Sequence, residues 1–249
     1  MTLRRGETEK RKRLIGLISS VSEEGNLILK NMKGSSVSAS PQLRIIHGRI
    51  HGREVVYAVS GMGKTNAAHA VTVLIVKYSP DMIILFGVGG AYPESGLKVG
   101  DIAVAEKEVY GDEGVFTREG FQGTDIIGIP LLKKGSKKCF NEFPFDKGLI
   151  KLVTRHSSFV PNIKIGPFVT VSTCTGTRKR AIELRNRYNA ICENMEGAAV
   201  VHVCAIYSKP VIEIRGISNI VEERDIERWD IRLGAGNCQK AVMEALRAL

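Results

Sequence analysis

Glu193-Asn194-Met195-Glu196-Gly197-Ala198-Ala199, an apolar run onward to Tyr207, then Pro210 and Val211-Ile212-Glu213-Ile214-Arg215-Gly216-Ile217-Ser218-Asn219 is the stretch that decides the fold. From Gly197 to Ile206 the residues are small and apolar nearly all round, the pattern of a helix buried in an α/β core. Pro210 is read as the stop of that helix, because its ring removes an N–H and clashes with the preceding turn. The β-branched run after it predicts a buried strand. Glu196 therefore falls where a helix begins, and Arg215 to Asn219 fall where a strand ends. Open α/β sheets bind ligands at such places. Glu196, Arg215, Ser218 and Asn219 are thus candidates to line one crevice. A plainer reading stands beside it: Glu196 is an acid favoured by the helix dipole, and Arg215 is its structural ion-pair partner.

Working outward, the residues from Ala235 to Leu249 predict an amphipathic helix packed on the sheet, with Trp229 on its approach among Arg224, Arg228 and Arg232. Upstream, Ile163 to Thr173 contains a strand, and Thr173-Cys174-Thr175-Gly176-Thr177 turns it into a helix from Arg178 to Tyr188. Cys174 lacks the neighbours covalent catalysis needs and is read as a buried packing thiol. Phe121 to Asp146 is rich in Gly, Pro and Lys with little periodicity, and is read as a surface loop or partner-contact region. Asp101, after Gly96-Leu97-Lys98-Val99-Gly100, is a turn former. Asp81 to Phe86 predicts a buried strand leading into Gly87-Val88-Gly89-Gly90-Ala91. A dinucleotide fingerprint would need a glycine where Tyr92 stands, so no dinucleotide cofactor is expected. Ser60-Gly61-Met62-Gly63-Lys64-Thr65 opens a helix from Asn66 to Tyr78. The first glycine of a P-loop would fall at Ala58, which rejects an ATPase. The turn still offers backbone N–H groups to an anion or polar ligand. Leu43 to Ile50 and Arg53 to Val59 alternate as two strands joined by His51-Gly52. Leu14 to Ile18 is the first buried strand, ending in Ser19-Ser20-Val21-Ser22-Glu23-Glu24-Gly25, where Gly25 and Gly34 predict a short, weakly helical loop.

Composition narrows the class. At 249 residues, 43% hydrophobic and 25% charged, the chain suits one globular α/β domain over 14–249 behind a basic tail over 1–13. Arg4, Arg5, Lys10, Arg11, Lys12 and Arg13 place six of the 36 basic residues in that tail, part of the net charge of +10. Such a tail is more often a solvated extension than a nucleic-acid arm, and an anionic substrate is a second use for the excess. No apolar run is long enough to span a bilayer and no signal peptide is evident, so no membrane partner and a cytoplasmic location are expected. The five cysteines form no Cys-x-x-Cys pair, and the histidines, His47, His51, His69, His156 and His202, form no ligand spacing. Neither metal nor cofactor is expected.

Asn-Met-Glu-Gly-Ala-Ala at 194–199 followed by Arg-Gly-Ile-Ser-Asn at 215–219 resembles the nucleoside phosphorylase/nucleosidase superfamily. The likeness is closest to its futalosine hydrolases, relatives of the methylthioadenosine/S-adenosylhomocysteine nucleosidases. Gly96 to Ala105 matches the superfamily as well, and Tyr110-Gly111-Asp112-Glu113-Gly114-Val115 is similar to the futalosine hydrolases, which implies a place near the substrate. The resemblance implies a three-layer α/β/α sandwich around a twisted mixed sheet, assembled as a homodimer or larger homo-oligomer. It implies a small-molecule nucleoside substrate and a role in the futalosine route to menaquinone. By that resemblance Met195 and Glu196 grip the ribose, Glu24 (or Glu23) activates the attacking water, and Asn219 faces the purine leaving group. Gly87 belongs to a glycine-rich turn under the ribose, and Thr175 and Gly176 line the purine pocket. Arg215 is read as orienting Glu196. The phosphorylases carry a phosphate-binding arginine where this chain has Leu85, which favours hydrolysis. Asn219, an amide with two N–H donors, suits N7 and a 6-oxo group together and so favours hypoxanthine over adenine. The competing readings are a methylthioadenosine/S-adenosylhomocysteine or aminodeoxyfutalosine nucleosidase, a purine nucleoside phosphorylase, and a non-enzymatic module whose tail engages RNA.

Overall fold

The strand-forming runs assemble into one mixed sheet in a computed structural model that describes residues 13–40, 43–155 and 162–249. The basic tail as far as Lys12 lies outside the described residues, as does His156. In chain order come β1 (Leu14–Ser19), a 3-10 turn (Ser22–Gly25), α1 (Asn26–Asn31), β2 (Lys33–Ser40), β3 (Leu43–Ile50) and β4 (Arg53–Val59). Next are α2 (Lys64–Tyr78), β5 (Met82–Ala91), β6 (Ile102–Tyr110) and two small ribbons, β7 (Gly114–Thr117) with β8 (Gly120–Gly123) and β9 (Leu132–Lys134) with β10 (Lys137–Cys139). The chain finishes through β11 (Glu142–Pro144), α3 (Lys147–Thr154), β12 (Ile163–Thr170), α4 (Arg178–Tyr188), β13 (Cys192–Asn194), α5 (Gly197–Tyr207), β14 (Val211–Ile220) and α6 (Ile231–Ala248).

The strand order is β11-β6-β12-β13-β5-β1-β4-β3-β2, and β14 pairs parallel with β5 and antiparallel with β6. Because β14 bridges those two, β5, β14, β6, β12 and β13 close into a ring, and β1, β4, β3 and β2 continue outward from β5. Helices α2 and α5 pack on each other against the sheet, while α6 lies on β14 and β5 with α1 and α3 beside it. This is the three-layer α/β/α architecture on a mixed sheet that the resemblance implied.

The deciding stretch folds as read, with one change of cause. Gly197, Ala198, Ala199, Val200, Val201 and Cys204 are buried in α5. The helix ends because Ser208 takes a left-handed conformation, φ 55°, and lets Lys209 N–H reach back to Cys204 O. Pro210 follows that stop rather than making it. Along β14, neighbouring residues point to opposite faces. A Cβ at Gly216 would collide with Gly234 O of α6, so only glycine lets that helix approach. Arg215, one residue earlier, points the other way, toward the start of α5.

Four local expectations are corrected. Gly87 to Ala91 is not a turn but the second half of β5, because its backbone keeps pairing with β14. The stretch from Phe121 to Asp146 holds most of β8 and the short strands β9, β10 and β11, with Phe121, Phe143 and Phe145 buried. The loop after Glu24 is helical, a 3-10 turn running into α1, and an unanticipated strand β2 follows it. Helix α6 starts at Ile231, four residues before Ala235, because Asp230 caps it by accepting from Leu233 N–H at 2.8 Å.

Candidate active site

Strands β1, β5 and β14 run parallel, and their C-terminal ends meet the start of α5 around a cavity of about 330 Å³. Ser20, Glu24, Val88, Gly89, Gly90, Glu193, Asn194, Met195, Glu196, Arg215, Ser218 and Asn219 all line it. A larger cleft of about 590 Å³, edged by Lys107, Lys137, Lys138 and Arg187, gathers none of the candidate residues.

Glu24 enters from the 3-10 turn after β1. That turn is pinned by Gly25, which packs so closely on Tyr57 that no side chain would fit. Glu24 Oε2 accepts from Ser20 N–H at 2.9 Å and Val21 N–H at 3.2 Å, and Oε1 accepts from Val88 N–H at 2.8 Å. Burial raises its pKa, against the pull of the Arg215 charge and the backbone donors. Glu23 points to solvent, so Glu24 alone of the two acids faces the cavity. Gly87, expected against the ribose, does not line the cavity. It underlies Glu24, since a Cβ there would sit 2.5 Å from Glu24 Oε1. Leu85, two residues back on the same face of β5, is buried in the core.

Glu196 precedes the first residue of α5 but does not cap it. Asn194 Oδ1 accepts from the N–H groups of Glu196 (2.9 Å) and Gly197 (2.7 Å), and Thr170 Oγ1 accepts from Ala198 N–H (2.8 Å). These neighbours satisfy the helix start, so the carboxylate of Glu196 is released to the cavity. Its Oε1 accepts from Gly63 N–H at 3.0 Å, which is how the glycine turn before α2 spends one of its donors. Its Oε2 lies 3.3 Å from Arg215 Nη2. The two readings of Glu196 therefore coincide: it is ion-paired with Arg215 and it lines the cavity.

Arg215 is fully buried and held on three sides. Nε donates to Glu213 Oε1 at 2.8 Å, Nη1 to Val88 O at 3.1 Å, and Nη2 to Glu196. Behind Glu213 stands Glu108, also wholly buried, and both carboxyl groups press on Gly197. Two adjacent buried carboxylates do not both ionise. Burial first, then the Glu213 charge, pushes the pKa of Glu108 well above the ordinary range. Glu213 Oε2 meets no N–H or hydroxyl, so the Glu108 carboxyl supplies the proton between them. Glu108 also accepts from Thr170 Oγ1 (2.8 Å) and Asn194 Nδ2 (2.5 Å), tying the pair to the cap of α5.

The far side of the cavity is built from Asn219, Met195 and the turn after β12. Asn219 Oδ1 accepts from Ser218 Oγ at 2.8 Å and Nδ2 donates to Ile220 O at 3.2 Å. The Ile220 carbonyl fixes which end of the amide is which. It also takes one of the two N–H groups, so a single amide donor remains where two were expected. Thr175 lines the cavity, and its N–H (2.9 Å) and hydroxyl (2.6 Å) both donate to Glu193. Gly176 does not line it and lies instead beneath Arg224. Cys174 is exposed rather than buried, with Sγ 3.2 Å from Met195 Sδ at the cavity wall. Tyr110 to Val115 stays outside the lining, where Asp112 and Glu113 hold Lys64 at 2.8 and 3.0 Å. Sequence reasoning missed Glu193, Ser20, Arg224 and Trp229 as lining residues. Alternation along β13 beside the Met195-Glu196 pair would have flagged Glu193. Nothing local marks the packing of the Arg224 guanidinium on the Trp229 ring, 4.8 Å from its centroid. Among the described residues no cluster of three His, Cys, Asp or Glu side chains is arranged to hold a metal, and no helix is long and apolar enough to cross a membrane.

Residues 14–249 match the phosphorylase superfamily. The chain is 32% identical to the futalosine hydrolase of Thermus thermophilus over 197 residues, 79% of this chain and 83% of that protein. It is 28% identical to the 5'-methylthioadenosine/S-adenosylhomocysteine nucleosidase of Staphylococcus haemolyticus over 236 residues, 94% of this chain and 98% of that one. The crystal structure of the corresponding nucleosidase of Neisseria meningitidis, in complex with methylthio-immucillin-A, superposes with a TM-score of 0.83 at 23% identity, covering 95% and 100% of the two chains. The native futalosine hydrolase of Helicobacter pylori gives 0.82 at 21%, covering 97% and 100%. At these identities the two structures speak to the fold.

Proposed function

The chain belongs to the phosphorylase superfamily, and from that premise we propose that it hydrolyses the N-glycosidic bond of futalosine, releasing hypoxanthine and dehypoxanthine futalosine. It is an enzyme of the nucleoside hydrolase type, in keeping with its curated relatives. In the proposed reaction the bond to the base breaks ahead of water attack, so positive charge gathers on the sugar and negative charge on the purine. Glu196 accepts from the ribose hydroxyls, and Met195 packs against the sugar. Arg215 holds Glu196 in place. Glu24 has three backbone N–H partners and one unfilled lone pair on Oε1, which takes the proton of the attacking water. Asn219 donates its remaining N–H to the departing base, stabilising charge where it develops.

The observation that carries the futalosine reading is the amide at Asn219, oriented by Ile220 O so that it offers an N–H to the cavity. N7 accepts in both bases, but at position 6 the free N–H meets an acceptor in a 6-oxopurine and an opposing N–H in adenine. The second reading is a methylthioadenosine/S-adenosylhomocysteine nucleosidase, favoured by the more complete match to the staphylococcal relative. The test is product release from futalosine, inosine and methylthioadenosine in phosphate-free buffer. Hypoxanthine from futalosine is expected; adenine from methylthioadenosine as the preferred reaction would overturn the reading. The same proposal takes residues 14–249 as the catalytic unit, a homodimer or larger homo-oligomer as the assembly, and the cytoplasm as the location.

A further inference from the structure

Strand β5 offers Gly90 to two neighbours at once. Glu193 of β13 pairs with it on one side and Asn219 of β14 on the other. The two residues thus flank Gly90 at two strand spacings, roughly 10 Å between their backbones, and all three line the same cavity. Gly90 puts only backbone between them, and Val221 takes the room a side chain would need: a Cβ there would sit 2.6 Å from Val221 Cγ2 and 3.3 Å from Asn219 Nδ2. The cavity therefore carries an amide on one side of Gly90 and a carboxylate on the other.

The acceptor capacity of that carboxylate can be followed atom by atom. Glu193 Oε2 accepts from the Thr175 hydroxyl at 2.6 Å and from the Tyr92 hydroxyl at 2.9 Å, which fills it. Oε1 accepts only from Thr175 N–H at 2.9 Å and keeps one lone pair. Three donors converging on a side chain that is 7% exposed hold it as an acceptor. A carboxylate needed only to brace the Thr175 turn would not have to face the cavity.

We infer that Glu193 is a specificity-determining residue that reads the N1 edge of the base and selects 6-oxopurines. A 6-oxopurine carries N1–H, a donor, beside acceptors at O6 and N7, so the free lone pair of Glu193 and the free N–H of Asn219 meet complementary groups. Adenine has a lone pair at N1, which faces the carboxylate unpaired and repelled. This rests on reading the cavity as a nucleoside site, and it adds a second base contact, independent of Asn219, to the futalosine reading.

The test measures binding of free hypoxanthine, adenine and 1-methylhypoxanthine to the full chain by calorimetry, in wild type, Glu193→Gln and Glu193→Ala. Wild type is expected to prefer hypoxanthine and to discriminate against the N1-methyl base. In Glu193→Ala hypoxanthine binding should fall at least about tenfold while adenine binding holds or improves, because the repulsion is gone. Glu193→Gln keeps an acceptor for Thr175 and for N1–H but loses the charge, so its preference should lie between the two; it decides the matter alone if the alanine variant does not fold. Equal loss for both bases, or an unchanged ratio, would reduce Glu193 to a brace for Thr175 and overturn the inference while leaving the futalosine reading intact. A wild type that prefers adenine would overturn the futalosine reading itself, with this role.

Discussion

Replacing Glu24 by glutamine separates its structural bonds from its proposed chemistry. Two N–H groups face Oε2 and one faces Oε1, so the amide oxygen of Gln must turn to Ser20 and Val21. Its NH₂ then meets Val88 N–H, donor against donor. One buried hydrogen bond is lost and one donor stranded, a cost of about 1–3 kcal/mol. A domain of ordinary stability, about 5–15 kcal/mol, survives that. The rate falls further. A neutral amide cannot take the water's proton, and a positioned general base contributes about 10²- to 10⁴-fold, equivalent to about 3–5 kcal/mol of barrier. Because Glu24 bonds backbone rather than sugar, KM is expected to stay near the wild-type value. The pH profile supplies a second signature. Burial raises the Glu24 pKa, so wild-type kcat/KM should fall on the acid side as the carboxylate fills, starting above the ordinary carboxylate range. Glu24→Gln should lack that limb, and Glu23→Gln, altering an exposed side chain, should change neither rate nor profile. The assay is hypoxanthine release from futalosine across pH, with the melting temperature of each variant recorded alongside. A Glu24→Gln enzyme within about threefold of wild-type kcat, against the loss a missing base entails, would refute the assignment of the water to Glu24.

Gly87→Ala places a methyl 2.5 Å from Glu24 Oε1, so kcat should drop by at least about tenfold, with a stability loss of about 1–3 kcal/mol, both read from one preparation by kinetics and thermal melting. Asn219→Asp removes the amide donor and sets a carboxylate against N7, so futalosine turnover near neutral pH should fall at least about tenfold and recover in part as the pH is lowered; unchanged turnover would discard the donor role. Glu108 has a raised pKa in the fold, so the stability its proton contributes is full below the ordinary carboxylate range and is lost as pH rises toward the raised value. Glu108→Gln is uncharged throughout, so its melting temperature relative to wild type should climb from acid to neutral pH, and a flat difference would mean the pair shares no proton.

What could be read in advance follows the reach of the interactions. Helix α5, strand β14 and the hairpin of β3 and β4 are set by local periodicity, with His51-Gly52 at the hairpin turn, and they appear where the residues place them. Glu24, Glu196, Met195, Arg215, Asn219 and Thr175 meet at one cavity because strand ends and helix starts converge there. Gly87 and Gly176 fall outside the lining, and a glycine near a site has two uses, admitting a ligand or admitting the protein's own side chain. At Gly87 the Glu24 carboxylate occupies the room. Glu213 and Glu108 carry no local signal, since their pairing depends on β14 bridging β5 and β6 and bringing two strands distant in sequence side by side. Glu193 stayed hidden for the same reason: its opposition to Asn219 exists only through the shared neighbour Gly90.

The charges around the cavity give a reason for water rather than phosphate to be the acceptor, beyond the apolar Leu85. Glu24, Glu193 and Glu196 line the wall, and the buried cation beside them, Arg215, is already engaged. Arg215 is committed to Glu213, Glu196 and Val88 O, and Lys64 to Asp112 and Glu113, while Arg224, packed over Trp229, is exposed to solvent. A phosphate oxygen brought to about 4 Å from the Glu24 carboxylate would be repelled by about 4 kcal/mol per pair of unit charges at an effective dielectric near 20. A sugar carrying positive charge at the same distance gains a term of the same size, and gains it only as the bond to the base breaks. The fixed carboxylates therefore favour the cationic transition state and disfavour the anionic nucleophile through one field. Arg215, holding Glu196 against the repulsion of its neighbours, keeps that field in place without supplying a free cation to phosphate.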